Sequence, residues 1–214
     1  MLMSGGMNCA TLLSKFTKLK ERPIMEAMIF CDLEDSEHEV RFAKKMCERF
    51  KVPYSLWAIA TTPMIDMHIL AQPPEKTYIA RPRMRHALMM VNAAFRAAQM
   101  KYQEVITGHT ADSVEDIDTI KIVASEAAVF AGMPTDLFKF PLLEFDSRGR
   151  VFEMARDMGS LVEVLYETNS CFFGENEKRF QWGYGCGDCI GCDRRSAGWD
   201  NYLDILKKEK NAAI

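Results

Sequence analysis

The sequence predicts an α/β protein in which a mostly parallel, doubly wound sheet occupies residues 1–165 and a small metal-binding module with a terminal helix occupies residues 166–214. Three observations predict it. Apolar runs of strand length alternate with segments whose apolar residues recur at helical spacing, the pattern of β-α-β units covered on both faces. A turn of small residues near the N-terminus opens directly into a helix-forming run. Cys171, Cys186, Cys189 and Cys192, the last three within YGCGDCIGCDRR, mark a separate local structure near the C-terminus.

Met1 to Met3 leave room for only a very short first strand. Ser4-Gly5-Gly6-Met7-Asn8-Cys9 followed by ATLLSKF is a small-residue turn entering a helix, where backbone N–H groups and the positive dipole end suit phosphate. Ile24 to Phe30 reads as a buried strand, and Ser36-Glu37-His38-Glu39 as a capping box opening a helix with Val40, Ala43, Cys47 and Phe50 on one face. Tyr54 to Ala60 is the next strand. Leu88, Val91, Phe95, Ala98 and Tyr102 predict a helix over 84–102, and Gln103 to His109 a strand running into a loop at Gly108. A further helix over 114–131 is stopped by Gly132 and Pro134. The ligand site of such a sheet lies at the carboxyl ends of its strands. Phe172 to Gly185 reads as an insert-like loop.

Four thiolates at C-x-x-C-x-x-C spacing plus one upstream can close a tetrahedral site, and Zn²⁺ is the ion such ligands favour. Gly185 and Gly191 let the backbone bend around it. A thioredoxin-like redox pair fits poorly, because its C-x-x-C starts a helix after a strand. An iron–sulfur cluster uses the same ligands and stays open at this point. Cys9, Cys31 and Cys47 are scattered, and the last two sit in apolar stretches suited to buried free thiols.

Composition narrows the class. The chain has 214 residues with 48% hydrophobic content, enough for a full core, and a formal charge of −3, which argues against a surface devoted to a nucleic-acid backbone. No stretch resembles a secretory signal or a bilayer span, and seven cysteines without a signal imply a reducing compartment, the cytoplasm. There is no Walker-type G-x-x-x-x-G-K-[ST] loop.

Together the two ends resemble a known family. Ser4-Gly5-Gly6-Met7-Asn8-Cys9 is similar to the S-G-G-x-D-S loop of the PP-loop ATP pyrophosphatases. Thr168 to Arg195, with Cys171, Cys186, Cys189 and Cys192, looks like the C-terminal zinc module of the 7-cyano-7-deazaguanine synthases, the QueC family. Tyr78 to Arg83 resembles that family's Y-V-P-x-R-N segment; Gly108 and Asp112 match its post-strand loop, Asp118 its following aspartate, and Phe140-Pro141-Leu142 its Pro-Leu segment. Arg148 stands where a lysine usually opens a helix.

The resemblance implies an adenine nucleotide alpha-hydrolase-like fold and a homodimer that handles small molecules, with no stable nucleic acid partner and no membrane. It implies ATP-driven conversion of 7-carboxy-7-deazaguanine and ammonia to the amide and then the nitrile, with Mg²⁺ as activator and Zn²⁺ in a structural role. In it Ser4, Gly5, Gly6, Met7, Asn8, Cys9 and Gly108 cradle the nucleotide. Arg83 and Arg148 hold carboxylate or phosphate, and Asp112 and Asp118 bind Mg²⁺ or the N–H edge of the base.

The sequence also departs from the family. Asn8 replaces the loop aspartate and Cys9 the loop serine, so a charge and a hydroxyl are lost where pyrophosphate and metal should sit; Met84 replaces an asparagine, and CDLEDSEH lacks the usual Y-G-Q-R motif. These departures keep three alternatives in play: an enzyme that stops at the amide, a PP-loop tRNA-modifying enzyme suggested by Thr107 to Asp112, and a degenerate nucleotide- or base-binding module.

Overall fold

Parallel pairing sets the architecture, seen in a computed structural model that describes residues 1–32, 37–59, 74–111 and 117–212, the backbone alone at 32 and 74–84. Strands β1 (Leu2–Met3), β2 (Ala27–Asp32) and β3 (Tyr54–Ile59) lie side by side in that order, with Leu2 opposite Met28 and Ala27 opposite Tyr54. A second parallel ladder joins β4 (Val105–Ile106) to β5 (Phe138–Lys139). Parallel neighbours require long crossovers, and helices supply them: α1 (Met7–Thr17), α2 (Glu37–Arg49), α3 (Pro74–Met100) and α4 (Ile117–Phe130).

The two-residue alternation of a strand distributes these side chains to two cores. Met3, Ala27 and Ile29 face one core with Leu12 and Leu13 of α1 and Ala43 and Met46 of α2. Leu2, Met28 and Phe30 face the other, with Met90, Ala93, Ala94 and Ala97 of α3 and Ala124, Ala127 and Ala128 of α4. Helices therefore cover both faces, as the pattern predicts. The expected single sheet is instead assigned as two ladders, because β1 and β4 are each only two residues long; Leu2 and Val105 still share one core.

The second half packs onto the first. Helices α5 (Gly149–Asp157) and α6 (Leu161–Tyr166) add Val151, Phe152, Val164 and Leu165 to the core of α1. The last helix, α7 (Ile190–Ala212), carries Cys192 in its first turn and further along sends Tyr202 into that same core. Phe172 to Gly185, expected as a loop, contains a short antiparallel hairpin of β6 (Arg179–Phe180) and β7 (Gly183–Tyr184).

Helix ends follow local chemistry. At the end of α4, Gly132 takes φ +69°, with Met133 N–H bonded to Ala128 O and Gly132 N–H to Val129 O, a Schellman turn. Helix α3 begins at Pro74, earlier than periodicity suggested: proline suits the first helical position, and Pro82 within the helix breaks the expected pattern. The predicted cap at Ser36 lies outside the described residues. Among the described residues, no helix is long and apolar enough to cross a membrane.

One charged cluster ties β2 to α3. Glu26 accepts from Arg96 at 3.1 and 3.2 Å and from the Tyr102 hydroxyl at 3.1 Å. Burial alone would raise its pKa, but the hydrogen bonds from Ser55, Arg96 and Tyr102 outweigh it and hold the carboxyl below its ordinary value of 4.5. A depressed folded-state pKa contributes stability above the unfolded value, which is lost as pH falls through the folded one. Urea denaturation should therefore show Glu26→Gln losing about 1.5–3 kcal/mol at neutral pH. The variant should also lose less stability than the wild type on acidification below the ordinary value of 4.5.

Candidate active site and metal centre

Between β1 and α1 the chain has only Ser4-Gly5-Gly6 in which to turn. Gly6 is the N-cap of α1 in extended conformation, with no capping side chain and no acidic residue in the first turn. The first-turn N–H groups have no acceptor within their own helix, and they form its positive end. Gly5 has φ +74°, and a Cβ there would lie 2.6 Å from Glu39 O and 2.9 Å from Ala43 N, so only glycine lets the turn press against α2. On its other side Gly5 O accepts from Asn169 N at 3.1 Å.

The loop after β4 closes on this turn. A Cβ on Gly108 would come within 2.8 Å of Cys9 Sγ, so the loops pack at backbone contact. Asn8 Nδ2 donates to Gly108 O at 2.9 Å and to Thr110 Oγ1 at 3.3 Å. Thr110 Oγ1 also accepts from Arg148 Nη2 at 3.3 Å, which makes it the junction of a three-residue network. Asn8 Oδ1 is buried and has no partner among the described residues, leaving an acceptor for a ligand. Cys9 Sγ lies 3.6 Å from Ser4 Oγ, and burial pushes its thiol up, so it is neutral.

The sequence-selected residues thus have different locations. Ser4, Gly5, Gly6, Met7, Asn8, Cys9, Gly108 and Arg148 converge; the Met7 side chain is core, so its contribution is its backbone N–H. Arg148 is buried, its stem packed against Gly198 of α7, and is no solvated surface charge. Asp118 is exposed in the first turn of α4. Arg83 lies on α3 in the part whose side chains are not described, and Asp112 lies outside the described residues.

Sequence reasoning missed Thr110, whose only signal was a hydroxyl in a loop after a strand. It also missed the partner of His109. His86 of α3 meets His109 edge-on, ring centroids 4.7 Å apart, and burial lowers them to about 3 and about 4 respectively, so both are neutral.

The four C-terminal thiols form the second centre. Their Sγ atoms all lie within 4.8 Å of one another, with Cys186 to Cys192 at 3.8 Å and Cys171 to Cys189 at 3.9 Å. A tetrahedron with Zn–S bonds of about 2.3 Å spaces its sulfurs by roughly 3.8 Å. The donor set fits one tetrahedral ion, whereas a cubane cluster would hold its thiolates farther apart. Phe172 N–H and Asp188 N–H donate to Cys189 and Cys186 sulfurs, each at 3.4 Å. Phe180 and Trp182, stacked at 4.5 Å, wall the site.

Behind it Arg195 is fully buried. Its guanidinium donates to Trp182 O at 2.8 Å, to Val164 O at 2.7 Å and Leu165 O at 3.2 Å, and to Thr168 O and Ser170 Oγ at 3.3 and 3.4 Å. Burial pushes it down to about 10, and the neighbouring Cys192 works in the opposite direction.

Comparison with known proteins places these features in a family. A family model described as "Queuosine biosynthesis protein QueC" matches residues 1–203. A 7-cyano-7-deazaguanine synthase of Zymomonas mobilis is 39% identical over 88 residues, 40% of this chain and 34% of that one. One of Alkalilimnicola ehrlichii is 31% identical over 129 residues, 56% of this chain and 53% of the other. The matched stretches thus cover between about a third and about half of these relatives. Among solved structures, a U34-tRNA thiolase of Methanococcus maripaludis, solved with its 4Fe–4S cluster, superposes with TM-score 0.50 at 15% identity. It covers 97% of this chain and 66% of the thiolase, a likeness of fold.

Two outcomes test the geometry. Purified protein should carry one equivalent of metal per chain by elemental analysis, and Cys171→Ser should lose most of it. Thr110→Val, which keeps shape but removes the acceptor shared by Asn8 and Arg148, should cost about 1–3 kcal/mol in chemical denaturation.

Proposed function

The chain belongs to the QueC family, and from that premise we propose that it is an ATP-dependent carbon–nitrogen ligase converting 7-carboxy-7-deazaguanine and ammonia to the amide and onward to 7-cyano-7-deazaguanine. The observation that carries the reading is the meeting of the first turn of α1, through Asn8, with Gly108 and Thr110 after β4 and, through Thr110, with Arg148. In this reading the protein acts on small molecules as a cytoplasmic homodimer, with no stable nucleic acid partner.

The chemistry explains why such a site needs no side-chain nucleophile. A carboxylate resists ammonia because it is anionic and would have to expel oxide. Adenylation neutralises it and makes AMP the leaving group, so the protein's tasks are to orient the reactants and stabilise the departing pyrophosphate. The first-turn N–H groups of α1, from Met7 to Cys9, are offered to that pyrophosphate. Arg148, already oriented by Thr110, is offered to phosphate or carboxylate; the roles of Arg83, Asp112 and Asp118 in this reading rest on the family pattern. Mg²⁺, when bound, neutralises phosphate charge, and Asp112 and Asp118 are the carboxylates that the family pattern offers to it. Zn²⁺ is the ion proposed for Cys171, Cys186, Cys189 and Cys192, in a structural role.

A second reading, release of the amide, is favoured by Asn8 and Cys9. The Asn8 amide is engaged as a donor to Gly108 O, a task no carboxylate can perform, and Cys9 is a neutral thiol. The loop therefore lacks the charge that the more demanding activation of an amide oxygen would draw on.

Mass spectrometry of a reaction with 7-carboxy-7-deazaguanine, ammonium and excess ATP should show the nitrile, with AMP and pyrophosphate as nucleotide products. Amide alone would establish the second reading. ADP as primary product, or intact acid and ATP, would remove both.

A further inference from the structure

We propose that Asn169 is a positioning residue for the nucleotide turn, a latch through which the tetrathiolate centre holds Gly5 in place, so that metal occupancy and nucleotide affinity are coupled. The inference rests on the reading of Ser4–Gly6 as the nucleotide turn.

The chain of contacts is short. Asn169 is buried, and three of its polar groups are committed: backbone N–H to Gly5 O at 3.1 Å, Nδ2 to Glu175 O at 2.8 Å, and Oδ1 accepting from Cys171 N at 2.6 Å. Cys171 is a metal ligand two residues on. The residues on either side of Asn169 are fixed by Arg195, through Thr168 O and Ser170 Oγ. Arg195 itself sits on α7 one turn beyond Cys192. Asn169 also bridges in parallel register to Tyr184, at the start of the cysteine loop.

One segment, 168–171, is therefore held at its far end by the metal centre and hands a hydrogen bond to the turn. Gly5 is in the left-handed region and touches α2 on its opposite side, so Gly5 O reaches the Asn169 donor only while the segment stays seated. Gly6 lies close to the same segment: a Cβ on it would meet Asn169 O at 3.8 Å and Ser170 Oγ at 3.9 Å. Removing the ion releases the Cys171 cross-link, leaves Asn169 Oδ1 holding a peptide that is no longer anchored, and loosens Gly5. By linkage, a nucleotide that needs the seated turn must in return tighten the metal.

The test uses metal-loaded full chain. Asn169→Ala should keep its metal by elemental analysis, yet raise the ATP KM about tenfold with kcat nearly unchanged, a shift of about 1.4 kcal/mol. Asn169→Asp, which keeps the acceptor for Cys171 N, should recover most of that loss. Independently of nucleotide, exchange of the residue 169 amide, the donor to Gly5 O, should accelerate in Asn169→Ala and on chelation of the wild type, with the middle of α1 unchanged. Saturating ATP should slow transfer of metal to a chelator several-fold. Unchanged exchange at residue 169 in the alanine variant would overturn the latch. So would an alanine variant with metal, and ATP KM equal to wild type. Absence of any ATP binding by the wild type, with exchange at residue 169 still responding to metal, would overturn the nucleotide reading and the coupling while leaving the contact itself standing.

Discussion

A guanidinium sealed from water is among the costliest groups a protein can bury, and it persists only if every donor finds an acceptor. Arg195 meets that condition with four carbonyls and one hydroxyl, drawn from α6, the segment 168–170 and β7's approach. Those acceptors lie on a helix end, an extended segment and a hairpin between residues 164 and 182, so one side chain sets the positions of all three. The last-turn carbonyls of α6 gain a cap, Trp182 is pulled against the thiols, and the strand leading to Cys171 is set. A divalent ion held by Cys171, Cys186, Cys189 and Cys192 would carry a net negative charge beside the same arginine, and the burial of one charge would ease the burial of the other.

That arrangement reaches the turn at the other end of the chain. The first turn of α1 holds no acidic side chain, and the two residues that depart from the resembled loop pattern are neutral: the Asn8 amide and the protonated Cys9 thiol. The amide is used as cement between loops, through Gly108 O and Thr110 Oγ1. Among the described residues, the proposed anion site draws on the helix end itself and the Arg148 charge behind Thr110. The electrostatics of the site thus lean on backbone and a buried arginine more than on titratable groups at the turn. Neutral His86 and His109, in T-shaped contact, add no charge.

The alternation of strands and helices was legible because each element follows its own period: Met28 and Phe30 to one face, Ala27 and Ile29 to the other. The metal ligands were legible because spacing alone constrains thiols. Arg148 was visible as a candidate, but its burial was not, since the Gly198 that receives its stem lies on a helix fifty positions away. Thr110 and Asn169 could not be singled out: a threonine in a loop and an asparagine before a Ser-Cys pair are ordinary in sequence, and acquire meaning only from partners a hundred or more residues distant. The hairpin of β6 and β7 was hidden for a related reason, as two-residue strands carry no periodicity.

The alanine seam between α3 and α4 has a further meaning for how such a chain can change over time. Ala93, Ala94 and Ala97 face Ala124, Ala127 and Ala128 with almost no exposure. Side chains this small leave nothing to truncate, so the usual route of core erosion, large to small, is closed here. The opposite route is closed as well, because added methylenes in a packed seam cost about 1–3 kcal/mol each way they are fitted. Drift at this seam is therefore confined to residues of near-equal volume. The outer face of α4, where Ile122, Val129 and Phe130 stand exposed, can take substitutions without disturbing the seam, which leaves that helix rigid in its spacing and free in its surface chemistry.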